Sequence, residues 1–204
     1  MAETDVQEEE GSPPNTPPER KEVQGKKEGR PAFQGSTLLI TGEPGTGKTT
    51  LLRRALASFS GPAGGFYTQE IRSGGTRLGF RLETLDGEQA TLAHVDFKSP
   101  HRVSKYGVDA ASLERVGVAA LKRAREQGGL VVVDEIGKME LLSQVFREVV
   151  EEAIREGRVL GTIMQAPHPW ADRIRALPQV RLLTLHRGNF ERTLEEVQSW
   201  LEAR

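Results

Sequence analysis

Apolar positions in residues 36–204 fall into short continuous runs that alternate with longer stretches of helical spacing. Ser36-Thr-Leu-Leu-Ile-Thr41 is an apolar, partly β-branched run of strand length, and Leu51, Leu52, Ala55 and Leu56 follow it at helical spacing. Residues 65–72 and 78–84 are rich in strand formers and are separated by Ser73-Gly-Gly75, which predicts a β-hairpin. A third short strand is expected near 90–93, after Asp86-Gly87. Residues 109–126 read as one helix with Leu113, Val116, Ala120, Leu121 and Ala124 on its apolar face, ended by Gln127-Gly-Gly129. Leu130-Val-Val-Val133 is uninterrupted and apolar, as in a strand covered on both faces. Leu142, Val145, Phe146, Val149, Ala153 and Ile154 mark the next helix, with Arg147, Glu148, Glu151, Glu152 and Arg155 toward water. A strand at 158–163, a short helix near 171–176 and a strand at 180–185 come next. A last helix carries Leu194, Val197, Trp200 and Leu201. Strands alternating with helices predict an α/β fold: a mainly parallel central sheet flanked by helices, with a β-hairpin after the first helix.

The junction of the first strand and helix carries the chemistry. Gly42, Glu43, Pro44, Gly45, Thr46, Gly47, Lys48 and Thr49 spell out G-x-x-x-x-G-K-[ST]. This is a phosphate-binding loop in the strand–loop–helix setting that gives the motif meaning, so the fold is expected to be a P-loop NTPase core. Glycines let the backbone approach a ligand closely, and the loop N–H groups with the helix N-terminus form an anion cradle. Lys48 is placed to reach the outer phosphates of an NTP, and the Thr49 hydroxyl to bind Mg²⁺.

A metal-bound phosphate also needs an acid. Asp134, at the end of the 130–133 run, is the candidate metal ligand beside Thr49, and Glu135 next to it is the candidate general base or water orienter. Asp134-x-x-Gly137 also fits the D-x-x-G of regulatory GTPases. The guanine-reading N-K-x-D motif is absent, however, because the only asparagines are Asn15 and Asn189. A P-loop kinase is the stronger rival, and a nucleotide-binding module with little turnover is the non-enzymatic one. A kinase needs an acceptor pocket and a lid that excludes water. Arg72, Arg77, Arg81, Arg173 and Arg175 could furnish such a lid. Thr162 is open to two readings, a γ-phosphate sensor or a strand-end hydroxyl bonded to backbone.

Composition narrows the field. Twenty-eight basic and 29 acidic residues leave a net charge of −1, so a bulk electrostatic partner such as nucleic acid is not indicated. With no cysteine, thiol catalysis, disulfides and cysteine-held zinc are excluded, and the four histidines share no ligand spacing. No apolar run approaches the roughly 20 residues of a membrane span, nor is there an apolar N-terminal h-region. A cytoplasmic protein is therefore expected. Residues 1–35 stand apart: they hold five of the eleven prolines, no Ile, Leu, Trp or Tyr, and eight acidic against five basic residues. Such a segment buries too little apolar area to offset its ordering entropy, so 1–35 is expected to be a disordered tail and 36–204 the folded domain. Pro14-Asn-Thr-Pro17 within the tail matches P-x-x-P.

Five blocks, in order, carry a family resemblance. They are residues 42–50, Gly65-Phe-Tyr-Thr-Gln-Glu-Ile-Arg72, Arg77-Leu-Gly-Phe80, Val133-Asp-Glu-Ile-Gly-Lys-Met-Glu-Leu141 and Leu160-Gly-Thr-Ile163. The chain resembles the THEP-type nucleoside-triphosphatases over essentially all of 36–204. The D-E-I-G-K-M-E-L block is far more specific than the phosphate loop alone. The resemblance implies a RecA-like or adenylate-kinase-like core, dependence on Mg²⁺ and slow hydrolysis of several NTPs to NDP and phosphate. Carried over by position, it makes Leu130, Val131, Val132, Val133, Asp134, Glu135, Ile136 and Gly137 the second nucleotide-contacting segment. The hairpin has Gln69 where a glutamate is common in the family, which leaves that position without an implied catalytic role.

Overall fold

The computed structural model describes Met1 and residues 37–203, and residues 37–203 belong to one compact unit. The expected tail lies outside the described residues. Strands β1 (Thr37–Thr41), β2 (Ala63–Ser73), β7 (Leu130–Ile136), β8 (Val159–Ile163) and β9 (Val180–Thr184) form a parallel sheet in the order β2-β7-β8-β1-β9. The β2 edge is extended antiparallel by β3 (Thr76–Thr84), β4 (Gln89–His94), β6 (Tyr106–Val108) and β5 (Arg102–Val103). The hairpin expected from Ser73-Gly-Gly75 is thus the root of a four-stranded extension.

Period-two alternation in the parallel strands feeds two cores. Leu38 and Ile40 of β1, with Leu130 and Val132 of β7, pack under α1 (Lys48–Leu56) and α6 (Phe190–Glu202). Leu39, Val131 and Val133 point the other way, toward α3 (Ala119–Glu126), α4 (Gln144–Glu156) and α5 (Pro169–Arg175). Burial on both faces is why the 130–133 run has no polar position.

Three expectations are corrected. Residues 109–126 are not one uniform helix: α2 (Ala110–Ser112), capped by Asp109, runs into a π-helical turn, Leu113–Val118, before α3. Gly117 in that turn lies against Phe66, where a Cβ would sit 3.1 Å from the ring, so the wider turn brings helix backbone close to β2. Leu142 is not on the apolar face of α4. It closes a 3₁₀ turn, Glu140–Leu142, and is exposed. Ser143 starts α4 by accepting a 3.0 Å bond from the Phe146 N–H. Glu151 and Glu152 do not simply face water, since Glu151 accepts from the Trp170 indole at 2.6 Å and Glu152 pairs with Arg125 at 2.6 Å.

Candidate active site

The phosphate loop leaves β1 at its C-terminal end and enters α1, as the sequence pattern requires. Two glycines in it are irreplaceable on geometry. Gly42 has φ +148°, and a Cβ there would overlap the Leu185 carbonyl oxygen. Gly47 caps α1 at φ +94°, and its Cβ would lie 3.2 Å from the Phe190 ring. The connection from β9 into α6 is therefore packed against the loop from behind. Glu43, Pro44 and Gly45 at the crest are exposed. The Lys48 ammonium lies across the loop, donating to the carbonyls of Gly42 at 2.9 Å and Glu43 at 3.3 Å.

β7 brings its acids to the same end of the sheet, although β8 separates it from β1. The Asp134 carboxylate is buried and bridges the gap: Oδ2 accepts from the Thr49 hydroxyl at 2.5 Å and Oδ1 from the Thr162 hydroxyl at 2.6 Å. Burial pushes its pKa above the ordinary carboxylate value, opposed by these two hydrogen bonds and by the Lys48 charge. Thr162 is fully buried and its hydroxyl donates to Asp134 rather than to backbone, which sets aside the backbone-bonded reading. It is a second clamp on Asp134. Glu135 is half-buried and lies near Lys48, and no side chain among the described residues hydrogen-bonds to it or pairs with it. Burial raises its pKa, against the Lys48 charge, while Asp134 adds to the rise. Lys138, three residues on, does not tie up Glu135, since it is exposed and bridged to no acid among the described residues. The Asp134–Glu135 peptide is cis.

The remaining expected contact residues divide. Leu130, Val131, Val132 and Val133 are closed inside the sheet and act as the rod that carries Asp134. Asp134, Glu135, Ile136 and Gly137 form the end that reaches the loop, with Ile136 itself buried. The arginines of the suggested lid are all engaged. Arg72 and Arg77 grip Glu70, at 2.6 Å and 2.5 Å, and Arg81 donates to Gln69 at 2.8 Å. Arg173 pairs with Glu151, and Arg175 holds Asp172 and the Met164 carbonyl. Gln69 also donates to Glu83, which makes it a hairpin strut. One acid escaped the sequence reading: Glu140, fully buried six residues after Asp134. Its neighbours Lys138 and Met139 give it the look of a surface turn, and only its place in the D-E-I-G-K-M-E-L block marks it.

A parallel sheet, a phosphate loop on one strand and an acid on another that hydrogen-bonds the loop threonine define a P-loop nucleotide-handling enzyme. Comparison with known proteins makes this specific. The family described as NTPase matches residues 37–198. The nucleoside-triphosphatase THEP1 of Thermotoga maritima is 46% identical over 166 residues, which cover 81% of this chain and 95% of that protein. The crystal structure of THEP1 from Aquifex aeolicus superposes with a TM-score of 0.76 at 36% identity, covering 81% of this chain and 99% of that one. The solution structure of a human cancer-related nucleoside triphosphatase gives 0.69 at 32% identity, covering 82% and 97%. The chain belongs to this nucleoside-triphosphatase family, and the fold and family expected from the sequence are both found. Among the described residues no helix is long and apolar enough to cross a membrane.

Proposed function

We propose that this protein hydrolyses nucleoside triphosphates to NDP and phosphate with Mg²⁺, at the site formed by residues 42–49 and 134–137, and that it discriminates weakly between bases. The observation that carries the reading is the Thr49–Asp134 bond of 2.5 Å beside a Glu135 carboxylate that has no side-chain partner among the described residues. Two hard oxygen donors facing each other across the loop suit a divalent cation held partly through water. When bound, Mg²⁺ neutralises charge on the β- and γ-phosphates. In this proposal Lys48 leaves its loop carbonyls for the phosphate oxygens, joined by the loop N–H groups. Thr162 keeps Asp134 oriented, and Glu135 accepts a hydrogen bond from the attacking water and aligns it with the γ-phosphorus. The engaged state of Arg72, Arg77, Arg81, Arg173 and Arg175 favours hydrolysis over transfer to a second substrate, because none is free to close a lid. Such an enzyme belongs in the cytoplasm, where NTP and Mg²⁺ are supplied.

Weak base selectivity follows from contacts that all NTPs share and from the absent N-K-x-D motif. Turnover of ATP and GTP is expected to agree within about tenfold, or roughly 1.4 kcal/mol in the transition state, and chelation by EDTA should abolish both. Phosphate release assayed across ATP, GTP, CTP and UTP with and without EDTA checks this. A thousandfold preference for one base, or full activity in EDTA, would refute it. The division into a tail, 1–35, and a catalytic domain, 36–204, is part of the same proposal. Removing residues 1–34 should leave the melting temperature and the NTP turnover unchanged. A large loss of either would mean that the tail docks on the domain.

A further inference from the structure

Among the described residues only two carboxyl groups are buried, Asp134 and Glu140. Asp134 is accounted for by Thr49 and Thr162. Glu140 has no cation partner among the described residues. Its carboxyl group accepts only from the backbone N–H groups of Gly137 and of Glu140 itself. The tight turn is closed by the Leu141 N–H on the Gly137 carbonyl, at 3.0 Å. Gly137 is the spacer between two acids. A Cβ there would lie 3.0 Å from Glu140 Oε2 and 3.6 Å from Glu135 Cγ and Oε1. A side chain there would press on the Glu140 carboxylate and touch Glu135, so both acids lie against this glycine.

Burying an acid with no cation is costly. Burial above all, then the charges of Glu135 and Asp134, push the Glu140 pKa up to about 8. The unfolded chain ionises the same group near its ordinary value. Above that value folding must take up a proton, and stability is lost as pH rises. A structural turn has no need of such a group, since glutamine would accept the same two N–H bonds. The charged groups around it are Asp134 and Glu135 on β7, Lys138 on the turn and exposed, and Glu114 on the π-helical turn, which is held by the Ser143 hydroxyl at 2.6 Å.

We propose that Glu140 is a positioning residue for hydrolysis, which from the other contact of Gly137 keeps Glu135 aimed at the water site. Two carboxylates against one glycine repel when both are charged, and a proton on the buried one relieves that repulsion. The proposal rests on the water-orienting role of Glu135, and it adds a built-in alkaline limit to the activity.

The test is the pH profile of single-turnover hydrolysis, with nucleotide affinity measured on the same samples, for wild type, Glu140→Gln, Glu140→Ala and Glu135→Gln. The wild-type rate should fall with a one-proton step near pH 8, reaching about a tenth of its neutral value at pH 9. Glu140→Gln cannot ionise. It should be about threefold slower at neutral pH and stay level, within about twofold, up to pH 9. Glu140→Ala should lose hydrolysis by about 30-fold with affinity unchanged. A Glu140→Gln profile that falls in step with wild type would overturn the proposal, as would a Glu140→Ala loss expressed equally in affinity. If Glu140→Ala does not fold, the Glu140→Gln profile decides alone. Glu135→Gln separates the two ideas. If it hydrolyses at the wild-type rate, the role of Glu135 fails first. If it is slow while Glu140→Gln tracks wild type, only the Glu140 proposal fails.

Discussion

Lys48→Ala is expected to lose both tight NTP binding and turnover. The ammonium is held over the phosphate loop by the Gly42 and Glu43 carbonyls, at 2.9 Å and 3.3 Å, from which, in the proposed reaction, it turns to the phosphate oxygens. In that reaction it meets phosphate charge in the ground state and again in the transition state, so its removal should weaken both. Losing one pre-positioned donor to developing charge typically costs ~10²–10³-fold in rate, and affinity should fall as well. The fold should survive, because Lys48 lies at the first turn of α1 and packs into neither core. Calorimetric titration with a non-hydrolysable NTP, alongside phosphate release, checks both halves. Unchanged affinity would place the phosphates elsewhere.

Glu135→Gln should fail differently. Glutamine keeps the size of the side chain and removes its charge. Glu135 has no protein partner among the described residues to lose, and Asp134, Thr49 and Thr162 stay bonded to one another. Mg–NTP affinity should therefore hold while hydrolysis drops by ~10²-fold or more, the range of a lost general base. A near wild-type rate would mean that Glu135 does not orient the water.

The two halves of the site were legible in the sequence because each is local. Residues 42–49 form a contiguous loop whose spacing is its function, and Asp134-Glu135 ends an apolar run that can hardly be anything but a buried strand. Their meeting was expected from the paired motifs, but the way it is held was not legible. β8 lies between the two strands, and Thr162 turns from it onto Asp134, a contact across 28 residues that no local pattern signals. The extension of the hairpin was half visible. β5 and β6 are two and three residues long, too short to show a period, and Tyr106 is buried by tertiary contact with Phe80 and Arg77. The helical segment at 109–126 was found, but its π-helical turn answers to Phe66 on another element. Glu140 was missed for the same kind of reason, since only the fold turns a polar-looking tetrapeptide into a buried acid. The arginines show the converse limit: composition offered five as a lid, and local partners occupy each.

The central claim is that water, aligned at this site, is the acceptor of the γ-phosphoryl group. The most direct measurement is hydrolysis of ATP or GTP in ¹⁸O-labelled water with no added acceptor, followed by mass spectrometry of the products. The account predicts inorganic phosphate carrying solvent oxygen, NDP carrying none, and release that is slowed alike in both readouts by Glu135→Gln. No phosphate without an added acceptor, or label in the β-phosphate of the NDP, would contradict it.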